Sequence, residues 1–171
     1  MFTKADIEKY FISEKKESLL FIVLGIAAVA TAVIFFFFLK TNFHKGASLP
    51  LFLIGLLLGV VGFTVYKRSD EDRRRNVYAY DMNPSELKDK ELPRMKTVMK
   101  NFIIYRWIEV FLLTAGILVY VYFIRDFKND FWRGLGLALA LMAFLALLAD
   151  YFAENRGKKY TRGIESFISK T

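Results

Sequence analysis

Residues Phe102–Ile124 read FIIYRWIEVFLLTAGILVYVYFI. An α-helix needs about 20 residues to cross ~30 Å of hydrocarbon, and this run is long and apolar enough to do so. It nonetheless carries Arg106 and Glu109, three positions apart, near its start. Backbone groups in lipid must bond within their own segment, so a helix is the expected form. Three other runs share this character: 19–39 (LLFIVLGIAAVATAVIFFFFL), 49–66 (LPLFLIGLLLGVVGFTVY) and 131–149 (FWRGLGLALALMAFLALLA). The first follows polar residues and has no small-x-small cleavage site before Lys40, so it reads as a span and not as a cleaved signal. The expected fold class is all-α: a polytopic membrane protein with four transmembrane helices in two helical hairpins, plus cytoplasmic and interfacial amphipathic helices.

Composition points the same way. The 171 residues are 55% hydrophobic and 17% aromatic, more apolar than a soluble domain of that length. There is no cysteine, which excludes thiolate nucleophiles, disulfide exchange and Cys-based zinc or iron–sulfur sites. His44 is the only histidine, so no HExxH-type metal site and no His pair for haem can form. No catalytic, cofactor-binding or metal-binding residues are therefore assigned, and no cofactor is expected.

The basic residues set an orientation. Nineteen Lys and Arg lie before the first span (4, 9, 15, 16), between spans two and three (67, 68, 73, 74, 75, 88, 90, 94, 96, 100) and after span four (156, 158, 159, 162, 170). Only five (40, 45, 125, 128, 133) lie in or beside the two remaining connections. The positive-inside rule places both termini and the central segment in the cytoplasm of a cell in whose inner or plasma membrane the chain is multi-pass. The net charge of +8 is explained by topology and by attraction to a lipid bilayer with anionic headgroups, without nucleic acid.

The chain then divides into an interfacial helix over 1–18, the spans, a cytoplasmic helical segment over 67–101 and a cytoplasmic C-terminal helix over 150–171. In the first of these, Ile7, Tyr10 and Phe11 share a face, as expected of a helix lying on a membrane. Ser48 is a candidate N-cap for span two, with Pro50 in its first turn. Asn83, Pro84 and Glu86 read as N-cap, N1 and N3 of a short helix. The segment 67–101 is too short for a core of its own, and helices on the membrane or capping the bundle are expected there. Gly55 and Gly59 form a GxxxG that Gly62 extends, a small face for helix packing within the chain or between copies. A faint repeat aligns Asp72, Arg74 and Tyr78 with Glu154, Arg156 and Tyr160 at constant offset.

Arg106, Glu109, Asp150, Glu154 and Arg156 form the candidate polar cluster. Arg106 and Glu109 have the spacing of an intrahelical ion pair; the alternative is a polar site facing a cavity between helices. Levelling Ile124 with Trp132 puts Arg106 and Asp150 each 18 residues from that end, about 27 Å along antiparallel helices. An Arg106–Asp150 pair follows. With no catalytic constellation, the expected function is an accessory, scaffold or assembly subunit that binds a membrane-protein partner or a second copy. An oligomeric small channel or transporter is the alternative, and a lipid-headgroup enzyme at the cytoplasmic face the third class.

Overall fold

The computed structural model describes residues 2–169, and these are helices and short connections without a strand. α1 (Lys4–Ile34) runs into a π-helical turn, Phe35–Leu39. α2 (Asn42–Met82) follows after two residues. A single turn, α3 (Pro84–Glu86), and a π-helical turn, Leu87–Glu91, lead into α4 (Leu92–Phe123). α5 (Asp130–Ile168) closes the chain. The stretches 4–39, 42–82, 84–123 and 130–168 are long and apolar enough to cross a membrane, by length and composition.

Each long helix extends well past its apolar run. The segment 1–18, expected as a separate interfacial helix, continues into the first apolar run without a break. Thr3 and Asp6 start it: the Asp6 carboxylate accepts from the Thr3 backbone N–H at 2.9 Å and from its hydroxyl at 2.8 Å. No glycine or proline then interrupts the backbone before the apolar run. α2 starts at Asn42, not beside Ser48. Thr41 is the cap, accepting from the His44 N–H at 3.3 Å, so most of the expected outer loop is helical and Pro50 lies inside the helix. Lys40, the one non-glycine residue with positive φ (54°) among those described, makes the reversal between α1 and α2. Asn83 ends α2, and Pro84 occupies the first position of α3, where its missing N–H costs nothing.

Side by side, the helices follow the order α1–α2–α5–α4: α2 and α5 are central, and α1 and α4 lie at the two edges. Small residues set the contacts in the apolar stretches. A Cβ on Gly25 would stand 2.6 Å from the Gly55 carbonyl oxygen and 2.7 Å from the Gly59 nitrogen. A Cβ on Gly62 would stand 2.8 Å from the Ser18 carbonyl oxygen. The Gly55–Gly59–Gly62 face therefore lies against α1 within the chain, although Gly59 contributes only its backbone. In the second hairpin, a Cβ on Gly116 would meet the Ala140 nitrogen at 2.6 Å, and one on Gly136 the Tyr120 nitrogen at 2.6 Å.

The central pair is joined by reciprocal backbone contacts. Gly46 lies on the Phe131 carbonyl, and Gly134 on the Phe43 carbonyl. The equivalent residues are 88 positions apart (131 − 43 and 134 − 46), in the matching tetrapeptides Phe43-His-Lys-Gly46 and Phe131-Trp-Arg-Gly134. The same spacing relates Arg68 to Arg156, and both reach acids of α1, Glu14 and Glu17. The hairpins thus correspond locally through this spacing. The offset suggested by Asp72, Arg74 and Tyr78 is a different one.

The core sits outside the apolar stretches. Ile7, Leu87, Met95 and Ile164 are completely buried and pack with Phe2, Tyr10, Phe11, Ala79 and Tyr160. Here the segment 67–101 shares a core with the ends of α1 and α5, which removes the size limit it would face alone. Gly157 does not break α5; it makes room for the Met99 side chain. By contrast, Ile26 is 63% and Phe111 70% exposed in the apolar stretches.

The glycine contacts give a direct test. Gly116→Ala places a methyl group on backbone that cannot yield and should cost about 1–3 kcal/mol. Gly59→Ala meets nothing within 4 Å and should be neutral or stabilising by up to ~1 kcal/mol through helix propensity. Thermal unfolding of the two variants in mild detergent reads the difference; equal losses would mean that close approach does not set the α4–α5 contact.

Candidate functional site

α4 and α5 are antiparallel, and Gly116 beside Ala140 sets their register. Arg106 is then level with Asp150, but its side chain does not meet Asp150. Helical side chains lean towards the N-terminus of their own helix. Arg106 therefore leans towards the charged end and meets Glu154, one turn beyond Asp150, which leans back towards it. Glu154 also receives Lys158 at 2.7 Å and has 7% of its side chain exposed. Burial works against its charge, yet the hydrogen bonds from Lys158 and Arg106 outweigh it and hold the carboxyl below its ordinary value.

Glu109 is displaced in the same sense and lies beside the Asp150 carboxyl. Of the two charges in Phe102–Ile124, Arg106 is thus answered from α5 by Glu154, whereas Glu109 faces a like group there and has Arg106 as its neighbour of opposite charge. Between them is a cavity of about 100 Å³, lined by Phe102, Arg106, Glu109, Leu147, Asp150, Tyr151 and Glu154. That is room enough for ordered water. A water there would satisfy Glu109 Oε2, which is buried without a hydrogen-bond partner. The arrangement can hold water beside the two carboxyls. Among the described residues, no group of three or more His, Asp or Glu side chains is placed to hold a metal ion.

Arg156 lies elsewhere. Two positions along a helix is about 200° around it, so Arg156 points away from the Glu154 face. Its guanidinium pairs with Glu17 of α1 and lies over the Tyr10 ring at 5.7 Å. It belongs to a buried polar and aromatic centre that sequence reading does not single out. Tyr10 and Tyr160 stack at 4.0 Å with their planes 6° apart. Glu91, 1% exposed, accepts from Arg94 Nε at 2.8 Å and Nη2 at 2.6 Å. Arg94 in turn lies over Phe11 at 5.8 Å. Glu14 is buried between α1 and α2, where it accepts from Ser69 at 3.1 Å and lies 3.8 Å from Arg68. Burial drives both tyrosine hydroxyls above their ordinary pKa and also raises the Glu14 carboxyl. The Glu91-x-x-Arg94 spacing is the sequence signal that points to this centre.

No known protein family, curated protein or solved structure matches the chain.

The pairing predicts a coupled loss. Arg106→Ala and Glu154→Ala should show a coupling of about 1 kcal/mol in a double-mutant cycle, with a smaller one for Arg106→Ala and Asp150→Ala. Thermal unfolding in detergent measures both; the larger coupling at Asp150 would contradict the register of side chains.

A second expectation concerns pH. Below the ordinary glutamate value of 4.5, folded and unfolded chains both hold the Glu14 proton. Above its raised folded value both have lost it, and the cost of burying the charge is complete. Stability at this site therefore declines as pH rises from 4.5 through that raised value. Glu14→Gln, uncharged throughout, should remove that decline, so its unfolding temperature gains on the parent as pH rises. A constant difference across that range would contradict the assignment.

Proposed function

We propose that the chain is a multi-pass protein of a cell membrane, with its charged end and both termini in the cytoplasm, and that it serves as a non-catalytic accessory or scaffold subunit. The observation that supports this reading is the contrast between its two parts. The charged end has a core of buried side chains, whereas the apolar stretches leave side chains such as Ile26, Leu57, Phe111 and Leu118 largely uncovered. Water would penalise that surface by about 25 cal/mol per Å² of apolar area, and hydrocarbon would not. The basic residues gathered at the charged end favour the cytoplasmic side for it.

Within such a membrane, the edge helices α1 and α4 each have one packed side and one free apolar side, suited to a neighbouring transmembrane helix. A conduction path inside one chain is disfavoured, because α2 and α5 touch backbone to backbone at Gly46 and Gly134. A headgroup enzyme is disfavoured by the separation of Arg156 from the Arg106–Glu154 cluster.

In intact cells, a single cysteine at Asn129 should label from outside and one at Asp89 should not; the cysteine-free parent makes this test clean. A photocrosslinker at Phe111 should join the chain to another membrane protein. Labelling of Asp89 from outside would reverse the orientation, and crosslinks to lipid alone would remove the subunit reading.

A further inference from the structure

The ends of α1 and α5 line a second cavity, an open groove of about 390 Å³, separate from the Arg106–Glu154 cluster. Ligand sites commonly span about 300–1,000 Å³. The stacked Tyr10 and Tyr160 contribute to its lining. Lys9 and Ser13 from α1 and Arg156 and Lys159 from α5 line the walls.

These groups are arranged for an anion. Arg156 is fixed by the Tyr10 ring beneath it and by Glu17, which engages it at Nη1. Its Nε and Nη1 are buried, which leaves the N–H donors of Nη2 for a ligand. Asp6 is the acidic residue of the lining; its Oδ2 accepts from the Thr3 N–H and hydroxyl, and Lys159 is the lining cation within electrostatic reach of it. Three cations and the hydroxyls of Ser13 and Ser166 therefore share the cavity with the rings of Phe2, Tyr10 and Tyr160, a combination that suits a phosphate attached to a flat organic body.

We propose that this groove binds a soluble organic phosphate, its phosphoryl oxygens held by Lys9, Arg156 and Lys159 and its organic part resting on the tyrosines. The choice of a soluble ligand over a lipid rests on the membrane placement proposed above. Arg156 lies seven positions beyond Ala149 and Lys159 ten. At 1.5 Å per residue these are about 10 and 15 Å past the apolar run. The headgroup layer adds only about 5–8 Å on each side, so lipid phosphates lie below the groove.

The test uses the full chain purified in phospholipid-free detergent, titrated with phenyl phosphate by calorimetry. Saturable binding is expected, weakened about tenfold in Lys9→Ala and in Lys159→Ala, as loss of one charge-assisted contact implies. Both lysines are exposed and outside the core, so these variants should fold as the parent does. Lys88→Ala, on an exposed lysine outside the groove, should bind unchanged. Absence of binding, or equal affinity in the Lys9→Ala/Lys159→Ala double variant, would overturn the proposal. The same titration in phosphatidylcholine nanodiscs with and without phosphatidic acid separates the sources. Equal affinity in both supports a soluble ligand, and competition by phosphatidic acid would show that lipid phosphate occupies the groove and overturn it. The detergent titration does not depend on orientation, whereas the Asn129 and Asp89 labelling does, so failure of either reading is distinguishable.

Discussion

Tyr160 stacked flat on Tyr10 at 4.0 Å is the contact on which the arrangement turns. It brings the far end of α5 onto the beginning of α1, two elements at opposite ends of the chain. Around the stack, Phe2 and Phe11 present ring edges and tilted faces, and Met95 brings in α4 through its sulfur, 3.6 Å from the Tyr10 hydroxyl. The free energy that orders these helix ends comes from a buried aromatic cluster of ordinary kind, worth about 1.5–3 kcal/mol for each large side chain removed from water.

Beyond that cluster, the physical basis of packing changes along the same helices. Tyr10 is inside a core, while Ile26, about four turns further along α1, is mostly uncovered. Between apolar helices in a hydrocarbon setting, burial supplies little drive and close van der Waals contact must do more. Gly25 on Gly55 and Gly59, Gly116 on Gly136 and Ala140, and Gly46 with Gly134 provide that contact. The core at the charged end and the glycine seams are complementary: one fixes which helix ends meet, the other how closely the shafts approach.

The polar residues follow the same geometry. Glu154 gathers Arg106 and Lys158, so its buried charge is answered from two sides, and a carboxylate left there alone would be costly. Glu14 is treated differently: burial raises its pKa, and Ser69 and Arg68 only partly offset that. The two glutamates show why a charge count along the sequence says little about local chemistry, since neighbours from other helices decide each case.

Helix number, the apolar runs and the charge asymmetry were legible in the residues because each depends on a local property: hydropathy over about 20 positions, or the density of Lys and Arg. The α4–α5 register was also legible, since a short connection and a fixed rise per residue determine it. What sequence could not decide was which side chains meet. Arg106 reaches Glu154 and not the level Asp150 because both partners lean along their own helices, and Arg156 leaves the cluster because helical rotation carries it to α1. The Phe43–Gly46 and Phe131–Gly134 correspondence is present in the residues, but it gains meaning only when the two tetrapeptides touch. Nor could local pattern distinguish a helix lying on a surface from one completing a core: Ile7, Tyr10 and Phe11 form the same stripe in either case, and only the arrival of Tyr160 and Ile164 from the other end of the chain determines what that stripe covers.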